Sequence, residues 1–391
     1  MRGTAVVVGG GLGGLTAAVA LRRVGWRVTV LERAPAFGEV GAGIGVMPNA
    51  LRALDALDLG DAVRRDGTPR LPGGVQDERG RSLGRLDVDD LEAMGRLVAI
   101  HRADLHRVLR SALPPESLVT SADVVEVEPE VRYLVDGEPV VVEADLVVAA
   151  DGIGSRVRSR LWPGVPAPVY SGTTAWRAVT DFAGPLEIGQ TLGPGTEFGV
   201  LPLAAGRVYW YAATLSPAGR RVDDELAEVR RLVDGWHDPI PALLAATDPR
   251  SVLRHDVHEL PVPPATYVRG RVVLLGDAAH AMTPFLGQGA CQAIEDGVVL
   301  AAACADAATL EEALTRYDRE RGPRTRAVAK ASRLVGRVGH GLRNPVAVAA
   351  RNVLLRSVPP KVAVSGMTRF SAWAPPALAV REPPRPEAPP A

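Results

Sequence analysis

The chain has 391 residues, with 45 Lys and Arg against 45 Asp and Glu, so its formal net charge at pH 7 is zero. This neutral balance gives no reason to expect nucleic acid or an acidic membrane as the main partner. With 47 % hydrophobic and 23 % charged residues the composition is that of an ordinary globular protein, long enough for two domains or for one large domain with an insertion.

The first predicted elements form a strand–turn–helix–strand unit. An apolar run at residues 6–8 predicts a buried parallel strand, which leads into Gly9-Gly10-Gly11-Leu12-Gly13-Gly14. Residues 15–24 predict a helix and residues 28–31 a second strand, closed by Glu32. The first strand starts too early for a signal peptide to be expected before it.

Each residue of this first signature fits a task in binding a dinucleotide. Gly9 permits a tight turn, and Gly11 lets the backbone approach a pyrophosphate. Gly14 lets the helix pack closely on the strand, and the helix N-terminus turns free N–H groups toward the phosphates. Glu32 can accept hydrogen bonds from ribose hydroxyls and would repel a 2′-phosphate. The unit therefore predicts a site for FAD or NAD.

The elements that follow are less regular. The cluster Gly41-Ala42-Gly43-Ile44-Gly45 has no strand before it and is interpreted as a flexible loop. Residues 48–59 predict a helix with an apolar stripe, and residues 68–90 a loop with a hairpin. A further helix is predicted over residues 101–113, with Arg102 at its start.

Two β-rich segments, 118–127 and 139–150, come next, and the apolar end of the second predicts a buried strand. That strand delivers the second signature, Asp151-Gly152-Ile153-Gly154-Ser155-Arg156-Val157-Arg158. Residues 166–270 are dominated by aromatic and β-branched strands, so we expect a mostly antiparallel sheet inserted into the nucleotide-binding unit. Its predicted strands cover residues 173–179, 196–203, 208–215 and 251–260, and its helices residues 223–234 and 241–246.

A buried parallel strand over residues 271–275 ends at the third signature, Gly276-Asp277-Ala278-Ala279-His280. The helix predicted over residues 289–305 contains both cysteines, Cys291 and Cys304. Their separation along a helix is about 20 Å, too far for a disulfide. We therefore expect two buried thiols and a reducing, cytoplasmic location.

Residues 311–372 are predicted to be mostly helical, with basic side chains spaced along them. A basic amphipathic helix can touch a membrane, but packing on the nucleotide-binding unit with a solvated basic face is the preferred interpretation. No apolar stretch of the sequence reaches membrane-spanning length. From residue 374 the Pro-rich sequence predicts disorder. The histidines predict no metal site, since His255 and His258 would lie on opposite faces of a strand.

The three signatures together resemble those of FAD-dependent monooxygenases of the p-hydroxybenzoate hydroxylase class, a group with salicylate hydroxylase, urate hydroxylase and zeaxanthin epoxidase. The resemblance covers residues 1–372. It implies an α/β fold: a Rossmann-like FAD-binding domain of the GR2 type, an inserted, mainly antiparallel β-sheet substrate domain, and a C-terminal helical region. The implied boundaries are 1–75, 96–165 and 271–325 for FAD binding, 76–95 and 166–270 for the substrate domain, 326–373 for the helices and 374–391 for the tail.

The resemblance also implies which residues hold the cofactor. Asp277 would bind the ribityl chain, since a carboxylate suits hydroxyl donors. Arg33 matches a contact at the adenosine end, Arg102 one at the pyrophosphate and ribityl region, and Val125 a backbone contact to adenine. Residues around Val46 match a loop beside the flavin ring. The implied FAD-binding set is Gly9, Gly11, Leu12, Gly13, Gly14, Glu32, Arg33, Val46, Arg102, Val125, Asp151, Gly152, Arg158, Gly276, Asp277, Gly287, Gln288, Gly289 and Ala290.

Within this set, Gly287-Gln288-Gly289-Ala290 matches the loop beside the isoalloxazine ring. Gly289 opens a predicted helix, and a helix N-terminus stabilises the negative charge of a reduced flavin. His280 is expected to support its loop rather than act as a base.

The implied reaction is the oxygenation of a small organic molecule. NADH or NADPH reduces FAD, O2 adds to the reduced flavin to give a flavin hydroperoxide, and this electrophile hydroxylates an aromatic or related substrate. NAD(P)H is expected to bind transiently, since the sequence contains no second nucleotide-binding unit. We expect no nucleic acid and no membrane partner, and a monomer or a homodimer.

The substrate is expected between the inserted sheet and the flavin ring. Because alternate residues of a strand share a face, two candidate sets follow, and two single residues add to them. The sets are Glu197, Gly199 and Leu201, and Tyr209 and Tyr211; the single residues are Trp176 and Pro284, the latter as a flavin-side contact. Tyr209 matches a tyrosine of the urate-hydroxylating branch that could orient a phenol or help to deprotonate it. Ordinary sheet packing explains each residue equally well by itself.

One departure from the urate-hydroxylating branch bears on the substrate. That branch has an arginine on the strand before its Leu-Pro turn, and alignment on Leu201-Pro202-Leu203 puts Glu197 there. A carboxylate would repel an anion, so urate is not expected as the substrate. The alternatives are an epoxidase or tailoring oxygenase for a non-aromatic substrate and, in another class, a non-catalytic binding protein on the same fold. The intact third signature and flavin-ring loop argue against the latter.

Overall fold

The computed structural model describes residues 3–38, 42–69, 73–86, 95, 97–184, 186, 188–359 and 368–379. Its strands are β1 (Thr4–Val8), β2 (Arg27–Leu31), β3 (Gly43–Val46), β4 (Thr68–Pro69), β5 (Gly73–Asp77), β6 (Ser82–Leu86), β7 (Val98–His101), β8 (Leu118–Val119), β9 (Ala122–Glu126), β10 (Val131–Val135), β11 (Glu138–Val142), β12 (Leu146–Ala149), β13 (Val169–Asp181), β14 (Ile188–Leu192), β15 (Thr196–Pro202), β16 (Arg207–Leu215), β17 (Leu253–Glu259), β18 (Val268–Arg269) and β19 (Val272–Leu274). Its helices are α1 (Leu12–Arg23), α2 (Pro48–Asp55), α3 (Gly60–Asp66), α4 (Arg102–Ser111), α5 (Arg156–Leu161), α6 (Glu225–Leu232), α7 (Ile240–Ala246), α8 (Asp277–His280), α9 (Gly289–Asp306), α10 (Leu310–Val338) and α11 (Pro345–Ser357).

A six-stranded sheet, in the order β18-β19-β12-β1-β2-β8, carries all three sequence signatures. Its strands β19, β12, β1, β2 and β8 run parallel. They are short runs of Val, Leu and Ala, as expected for strands that are buried on both faces. Parallel strands end at the same edge of a sheet, so the loops after β1, β12 and β19 meet there. The three signatures, far apart in the sequence, are thereby brought together.

Helices α1 and α9 pack side by side on this sheet and run in the same direction. A β-carbon added to Gly13 would lie 3.0 Å from Cβ of Ala293, and one added to Gly297 would lie 2.8 Å from the backbone nitrogen of Ala17. From the first contact to the second, the chain advances from Gly13 to Ala17 on α1 and from Ala293 to Gly297 on α9. Because both helices advance in the same direction, they are parallel. Glycine on each side lets the axes approach closely, and both positive helix ends point to the edge where the signatures meet.

A seven-stranded sheet, in the order β17-β13-β16-β15-β14-β5-β6, forms the inserted layer. Its pairs are antiparallel except for β14 with β5, which run parallel. Helices α6 and α7 cover one face and bury a core of Trp176, Phe198, Trp210, Leu226 and Leu243. The other face is turned toward the small sheet β3-β7-β4. The four strands predicted for this insertion correspond to β13, β15, β16 and β17. The strand β14 was not predicted, because its sequence contains Gly and Gln and has a weak strand pattern.

The second glycine cluster does not form the flexible loop expected from the sequence. Residues Gly43–Val46 form β3, which pairs antiparallel with β7; residue 41 lies outside the described residues. A β-carbon on Gly43 would lie 2.5 Å from Cβ and Cγ of Tyr209. Glycine serves here to let a strand approach an aromatic side chain, and the absence of a preceding strand was a poor guide.

The C-terminal part consists of the long helix α10 and the helix α11. The polarity of α11 is opposite to the basic outer face expected from the sequence: Arg351 and Asn352 are buried, while Val346, Val353 and Leu354 are exposed. No described helix has both the length and the apolar character needed to cross a membrane. In the predicted disordered tail, residues 374–379 form neither helix nor strand, and Leu378 packs against the core; residues 380–391 lie outside the described ones.

Candidate active site

The glycines of the first signature differ in whether a β-carbon would fit at their position. Gly9 has a φ of +106°, and a β-carbon on Gly14 would lie 2.0 Å from the carbonyl oxygen of Gly9. A β-carbon on Gly11, in contrast, would meet no described atom within 4 Å. Among the described residues, no side chain caps the first turn of α1. This turn therefore presents its N–H groups beside an open backbone position, as a pyrophosphate site requires.

Glu32 lies at the end of β2, directly beside this turn. Its Oε2 accepts a hydrogen bond from the backbone N–H of Gly10 at 2.7 Å, and its Oε1 accepts one from Ala34 at 2.8 Å. These bonds fix the carboxylate at the sheet edge and leave further lone pairs for ribose hydroxyls. Arg33 is exposed next to it.

The second signature is connected to the third by Arg158. Asp151 accepts hydrogen bonds from Ser155 Oγ at 2.6 Å and from the N–H of Val157 at 3.2 Å, which fixes the start of α5. The buried Arg158 donates to the carbonyl oxygens of Ile153 at 2.6 Å and Ala278 at 3.0 Å. Burial lowers the pKa of Arg158, and the charges of Asp151 and Asp277 oppose this shift.

The third signature forms a tight turn that exposes Asp277. Gly276 has a φ of +61°, and its N–H donates to Asp296 Oδ2 at 2.9 Å. His280 is fully buried, with Nε2 2.7 Å from the same oxygen, so it supports the turn as expected from the resemblance. Burial alone would raise the pKa of Asp296, but the charges of His280 and Arg321 and the hydrogen bonds it accepts lower it from 3.8 to about 2.

The segment from residue 287 to residue 290 forms the start of α9. Gly287 adopts the left-handed conformation, with φ +62°, and its N–H donates to the carbonyl of Pro284 at 2.7 Å. Gln288 is the buried N-cap residue, and among the described residues no side chain caps the helix. The free N–H groups of Gly289 and Ala290 therefore add a second positive helix end to the site.

A buried polar network, which the sequence interpretation missed, lies behind this helix. Glu295 accepts hydrogen bonds from Asn49 at 2.6 Å, Arg324 at 2.6 Å and Arg321 at 2.5 Å. Asn49 Nδ2 also donates to Gln288 Oε1 at 3.0 Å. The network holds α2, α9 and α10 together just behind the loop at residues 287–290. The signal in the sequence was the acidic pair Glu295-Asp296 inside an otherwise apolar helix.

Three other predicted cofactor residues lie around the same edge. Val46 is buried in β3, next to the helix α2. The N–H of Arg102, at the start of α4, donates to the carbonyl of Ala42 at 2.8 Å. Val125 is 44 % exposed on β9, and its carbonyl accepts a hydrogen bond from Arg160 at 2.9 Å. That carbonyl retains a second lone pair for a ligand.

The two predicted substrate sets share one face of the seven-stranded sheet. The pairs Gly199 with Tyr211 and Leu201 with Tyr209 are direct neighbours on β15 and β16, and Glu197 lies on the same face. A β-carbon on Gly199 would lie 2.0 Å from Cε1 of Tyr211, so the ring lies across the glycine. Tyr209 packs in turn against Gly43. We name these five residues the substrate face: Glu197, Gly199, Leu201, Tyr209 and Tyr211.

Trp176 does not belong to the substrate face, which corrects the expectation from the sequence. Its side chain lies on the opposite side of the sheet, in the core under α6 and α7, and its Nε1 donates to Glu225 Oε2 at 2.7 Å. Side chains alternate between the two faces of β13, and those with even residue numbers, Trp176 among them, point toward α6 and α7. The neighbouring Arg177 and Val179 have the other orientation and pair with Tyr211 and Tyr209.

The electrostatics of the substrate face are polarised. Burial raises the pKa of Tyr209, and the charges of Arg177 and Arg102 oppose the rise only in part. Burial raises the pKa of Tyr211 well above its ordinary value, and Glu197 raises it further. Both phenols therefore stay protonated at neutral pH. Tyr209 is suited to donating a hydrogen bond, and its raised pKa does not support the predicted role in deprotonation.

Glu197 is a buried carboxylate with one oxygen engaged. Its Oε2 accepts a hydrogen bond from Gln190 Nε2 at 3.1 Å and lies 3.3 Å from His340 Nδ1. None of the described residues donates a hydrogen bond to Oε1. His340 Nε2 lies 2.9 Å from Thr173 Oγ1, and its ring centroid is 4.5 Å from that of Phe285. Pro284, the predicted flavin-side contact, is exposed directly before Phe285.

These observations fit FAD. The open position at Gly11 and the uncapped start of α1 suit a pyrophosphate, and the uncapped start of α9 suits the flavin ring. The exposed Asp277 suits the polyol, and the carboxylate of Glu32 suits a ribose. Among the described residues, no group of three or more His, Cys, Asp or Glu is arranged to hold a metal ion. Cys291 and Cys304 are free and buried, as expected.

Known proteins resemble this chain over most of its length. Residues 2–332 match the family described as FAD binding domain. Aurachin C monooxygenase/isomerase of Stigmatella aurantiaca is 39 % identical over 364 residues, which cover 90 % of this chain and 94 % of the relative. FAD-dependent urate hydroxylase of Klebsiella pneumoniae is 33 % identical over 350 residues, covering 86 % and 90 %. The crystal structure of Klebsiella pneumoniae HpxO with FAD and uric acid matches with a TM-score of 0.86 at 30 % identity, covering 94 % and 96 %.

The predicted fold class, the cofactor FAD and the enzyme class are confirmed by this agreement. The alternative of a non-catalytic binding protein on the same fold has no counterpart among these relatives, which are oxygenases by name. The chain belongs to the FAD-dependent monooxygenases of the p-hydroxybenzoate hydroxylase class.

Proposed function

We propose that the chain hydroxylates a small aromatic or related molecule that is uncharged and presents an N–H or O–H donor to Glu197. The observation that carries this proposal is the carboxylate of Glu197 on the substrate face, with Oε1 available for a ligand. Buried carboxylates need hydrogen-bond donors, and a substrate carboxylate at the same position would meet strong repulsion.

The predicted cofactor residues are proposed to hold FAD in two groups. Gly11, Glu32 and Arg33 would bind its pyrophosphate and adenosine end. Asp277 and the loop at residues 287–290 would bind the ribityl chain and the ring. When bound, FAD would supply a hydride acceptor for NADH or NADPH and the means to activate O2 for transfer of one oxygen atom to the substrate. The chain's own residues bind and orient the substrate and exclude water.

The proposed roles on the substrate face follow from charge. Tyr209, held protonated beside Arg177 and Arg102, donates a hydrogen bond to a hydroxyl or carbonyl oxygen of the substrate. Glu197 accepts a hydrogen bond from a donor at the opposite end. The rings of Tyr209 and Tyr211, with centroids 6.3 Å apart, offer flat apolar contacts to an aromatic ring. A substrate with an acceptor at one end and a donor at the other is therefore favoured.

The proposed domain division supports this arrangement, with residues 1–75, 96–165 and 271–325 binding FAD and residues 76–95 and 166–270 contributing the substrate side. β5 begins at Gly73 and joins the seven-stranded sheet, so we propose to move the first boundary to about residue 72. A cytoplasmic location is proposed from the two reduced cysteines.

The first experiment tests the reaction. The FAD-loaded protein is mixed anaerobically with NADH or NADPH, with and without 4-hydroxybenzamide, other neutral phenols and an alkene panel. Flavin reduction that a neutral aromatic compound accelerates, followed by a hydroxylated product in air, is the expected result. Acceleration by alkenes alone, with epoxide as product, would replace aromatic hydroxylation by the epoxidase alternative.

The second experiment tests Glu197 through binding. 4-Hydroxybenzamide and 4-hydroxybenzoate have the same ring and differ in one charge, and each is titrated while the flavin absorption spectrum is followed. We expect the amide to bind at least about ten-fold more tightly than the acid. Glu197→Gln should remove most of this preference.

The matched control is Glu225→Gln, which changes a carboxylate on α6, the helix that covers the opposite face of the sheet, and keeps an acceptor for Trp176. It should leave the preference unchanged. An unchanged ratio of the two affinities in Glu197→Gln, or a wild-type preference for the acid, would refute the role of Glu197 and leave the oxygenase reaction itself untouched.

A further inference from the structure

Helix α11 has its polarity reversed. Its buried side contains Arg351, 4 % exposed, and Asn352, 7 % exposed. Its outer side contains Val346, Val353 and Leu354, which are 78 %, 62 % and 64 % exposed. A surface helix of a water-soluble fold normally has the opposite arrangement. The outer side of α11 is therefore suited to an apolar environment rather than to water.

Specific hydrogen bonds fix this orientation. Arg351 Nη1 donates to the carbonyl of Gly339 at 2.6 Å, and its Nη2 donates to the carbonyl of Leu192 at 3.3 Å. Its Nε and Nη2 also donate to Asn352 Oδ1 at 3.0 and 2.9 Å. A rotation of α11 that buried Val353 and Leu354 would separate the Arg351 guanidinium from the carbonyls of Gly339 and Leu192, so the apolar side is held outward.

A second group of exposed apolar side chains lies at the end of α10. Leu334, Val335 and Val338 are 61 %, 38 % and 42 % exposed there. The hydrogen bond from Arg351 to Gly339 brings the middle of α11 next to this end. We name the combined region the apolar surface: Leu334, Val335, Val338, Val346, Val353 and Leu354. It contains most of the large hydrophobic side chains that are exposed in the described residues, so exposure is concentrated rather than scattered.

The segment of the chain that contains the apolar surface is basic. Residues 321–359 contain Lys and Arg but neither Asp nor Glu. Arg337, Arg343 and Arg356 are exposed beside the apolar side chains. Three buried carboxylates from other elements face this segment. Glu259 pairs with Arg333 at 2.6 Å, Glu197 Oε2 lies 3.3 Å from His340 Nδ1, and Asp77 accepts a hydrogen bond from Arg356 at 3.1 Å. In the described part of the chain, the apolar surface thus has arginines at its rim, while the net charge of the whole sequence is zero.

We propose that the apolar surface docks the protein on an anionic phospholipid membrane, with the apolar side chains in the acyl boundary and the arginines at the headgroups. Apolar residues flanked by Arg on a surface helix are the pattern that binds such interfaces. A second copy is a poorer occupant, because a two-fold contact would set one basic rim against the other. The proposal departs from the preferred interpretation of a solvated basic face, since apolar side chains are exposed on α11 between the arginines.

Vesicle sedimentation of the FAD-loaded protein tests the proposal. Vesicles of phosphatidylglycerol and phosphatidylcholine in equal parts should pellet the protein, and vesicles of phosphatidylcholine alone should pellet at least about ten-fold less. Raising NaCl to about 0.5 M should weaken the binding strongly. Val353→Ser combined with Leu354→Ser should lower binding about ten-fold, while flavin content and NADH-driven reduction remain as in the wild type.

Val262→Ser is the matched control, because Val262 is 58 % exposed elsewhere on the molecule. It should bind vesicles like the wild type. Failure to bind anionic vesicles, or equal loss of binding in Val262→Ser, would overturn the proposal. A dimer in sedimentation velocity that the double variant dissociates, with no vesicle binding, would also overturn it and would assign the apolar surface to a second copy of the chain.

Discussion

Glycines in the same signature can have opposite physical tasks. Gly14 is closed, because a β-carbon there would collide with the carbonyl of Gly9, whereas Gly11 opens to space in which the structure has no protein atom within 4 Å. Packing of α1 on β1 thus depends on Gly14, and access for a ligand depends on Gly11. A sequence motif lists both residues as glycine and gives no means to separate the two tasks.

Alanine substitution separates these tasks. Gly14→Ala should destabilise the protein even without cofactor, by several kcal/mol, because backbone would have to move. Gly11→Ala should leave the melting temperature of the apoprotein nearly unchanged and weaken FAD binding by at least about ten-fold, because its methyl group occupies the pyrophosphate site. Thermal melts of both apoproteins and titration with FAD, followed by flavin fluorescence, measure the difference. Equal losses of apoprotein stability would contradict the assignment.

At the scale of elements, the N-terminus of α9 and one side of the same helix have different functions. Its N-terminus faces the cofactor site, and its acidic pair Glu295-Asp296 faces α10, where Arg321 binds both carboxylates at 2.5 and 2.6 Å. All three side chains are almost completely buried. Buried charges of this kind are stable only as a group, since removal of one partner leaves another charge uncompensated. The flavin-ring loop therefore depends on a contact about a turn and a half behind it.

Arg321→Met tests this dependence. We expect a loss of about 3–5 kcal/mol in the free energy of unfolding, because Glu295 and Asp296 lose their main cation. Arg316→Met is the control. Arg316, also on α10, binds Asp306 at the end of α9 and Glu320 on α10 near the surface, so a change of under about 1 kcal/mol is expected. Urea unfolding measures both. A similar small effect of the two variants would refute the importance of the buried network.

At the scale of the whole molecule, acidic groups with lowered pKa values set the pH range of stability. The folded pKa of Asp296 is about 2, below its ordinary 3.8, and those of Asp77, Asp104 and Asp256 are lowered as well. A lowered folded pKa contributes stability that is fully present above the unfolded pKa and is lost as pH falls through the folded value. Folding stability should therefore decline between about pH 4 and pH 2.

Urea unfolding between pH 7 and pH 2 checks this expectation. The midpoint should fall slightly from pH 7 to pH 5, because burial lowers the pKa of His101 and His255 and so opposes their protonation in the folded state. It should fall more steeply below pH 4, with Asp296 contributing roughly 2 kcal/mol. Asp296→Asn should be less stable at pH 7 but should lose less stability on acidification. A wild-type midpoint that stays constant down to pH 3 would refute the contribution of these carboxylates.

The sequence was most informative where local pattern and function coincide. The three signatures, their strands and the helix over residues 289–305 follow from apolar runs and glycines that are close together in the chain. The network of Asn49, Glu295 and Arg321 joins segments more than 200 residues apart, and no local pattern reveals such a contact. The side of the sheet on which Trp176 lies depends on which face α6 and α7 cover. The outward orientation of the apolar side chains of α11 depends on Arg351, whose backbone acceptors lie in other segments of the chain.

The parallel packing of α1 and α9 has a consequence for the life of the protein. Two aligned helix dipoles side by side repel each other, and their closeness at Gly13 and Gly297 increases that cost. The dianionic pyrophosphate of FAD, bound at the end of α1, would supply counter-charge to this pair of helices, so folding and cofactor loading would be linked. At a FAD concentration one hundred times its dissociation constant, the linkage is about 2.7 kcal/mol. In a cell with too little flavin, more of the newly made apoprotein would be unfolded and therefore degraded by proteases. The flavin supply would then control the amount of enzyme as well as its activity.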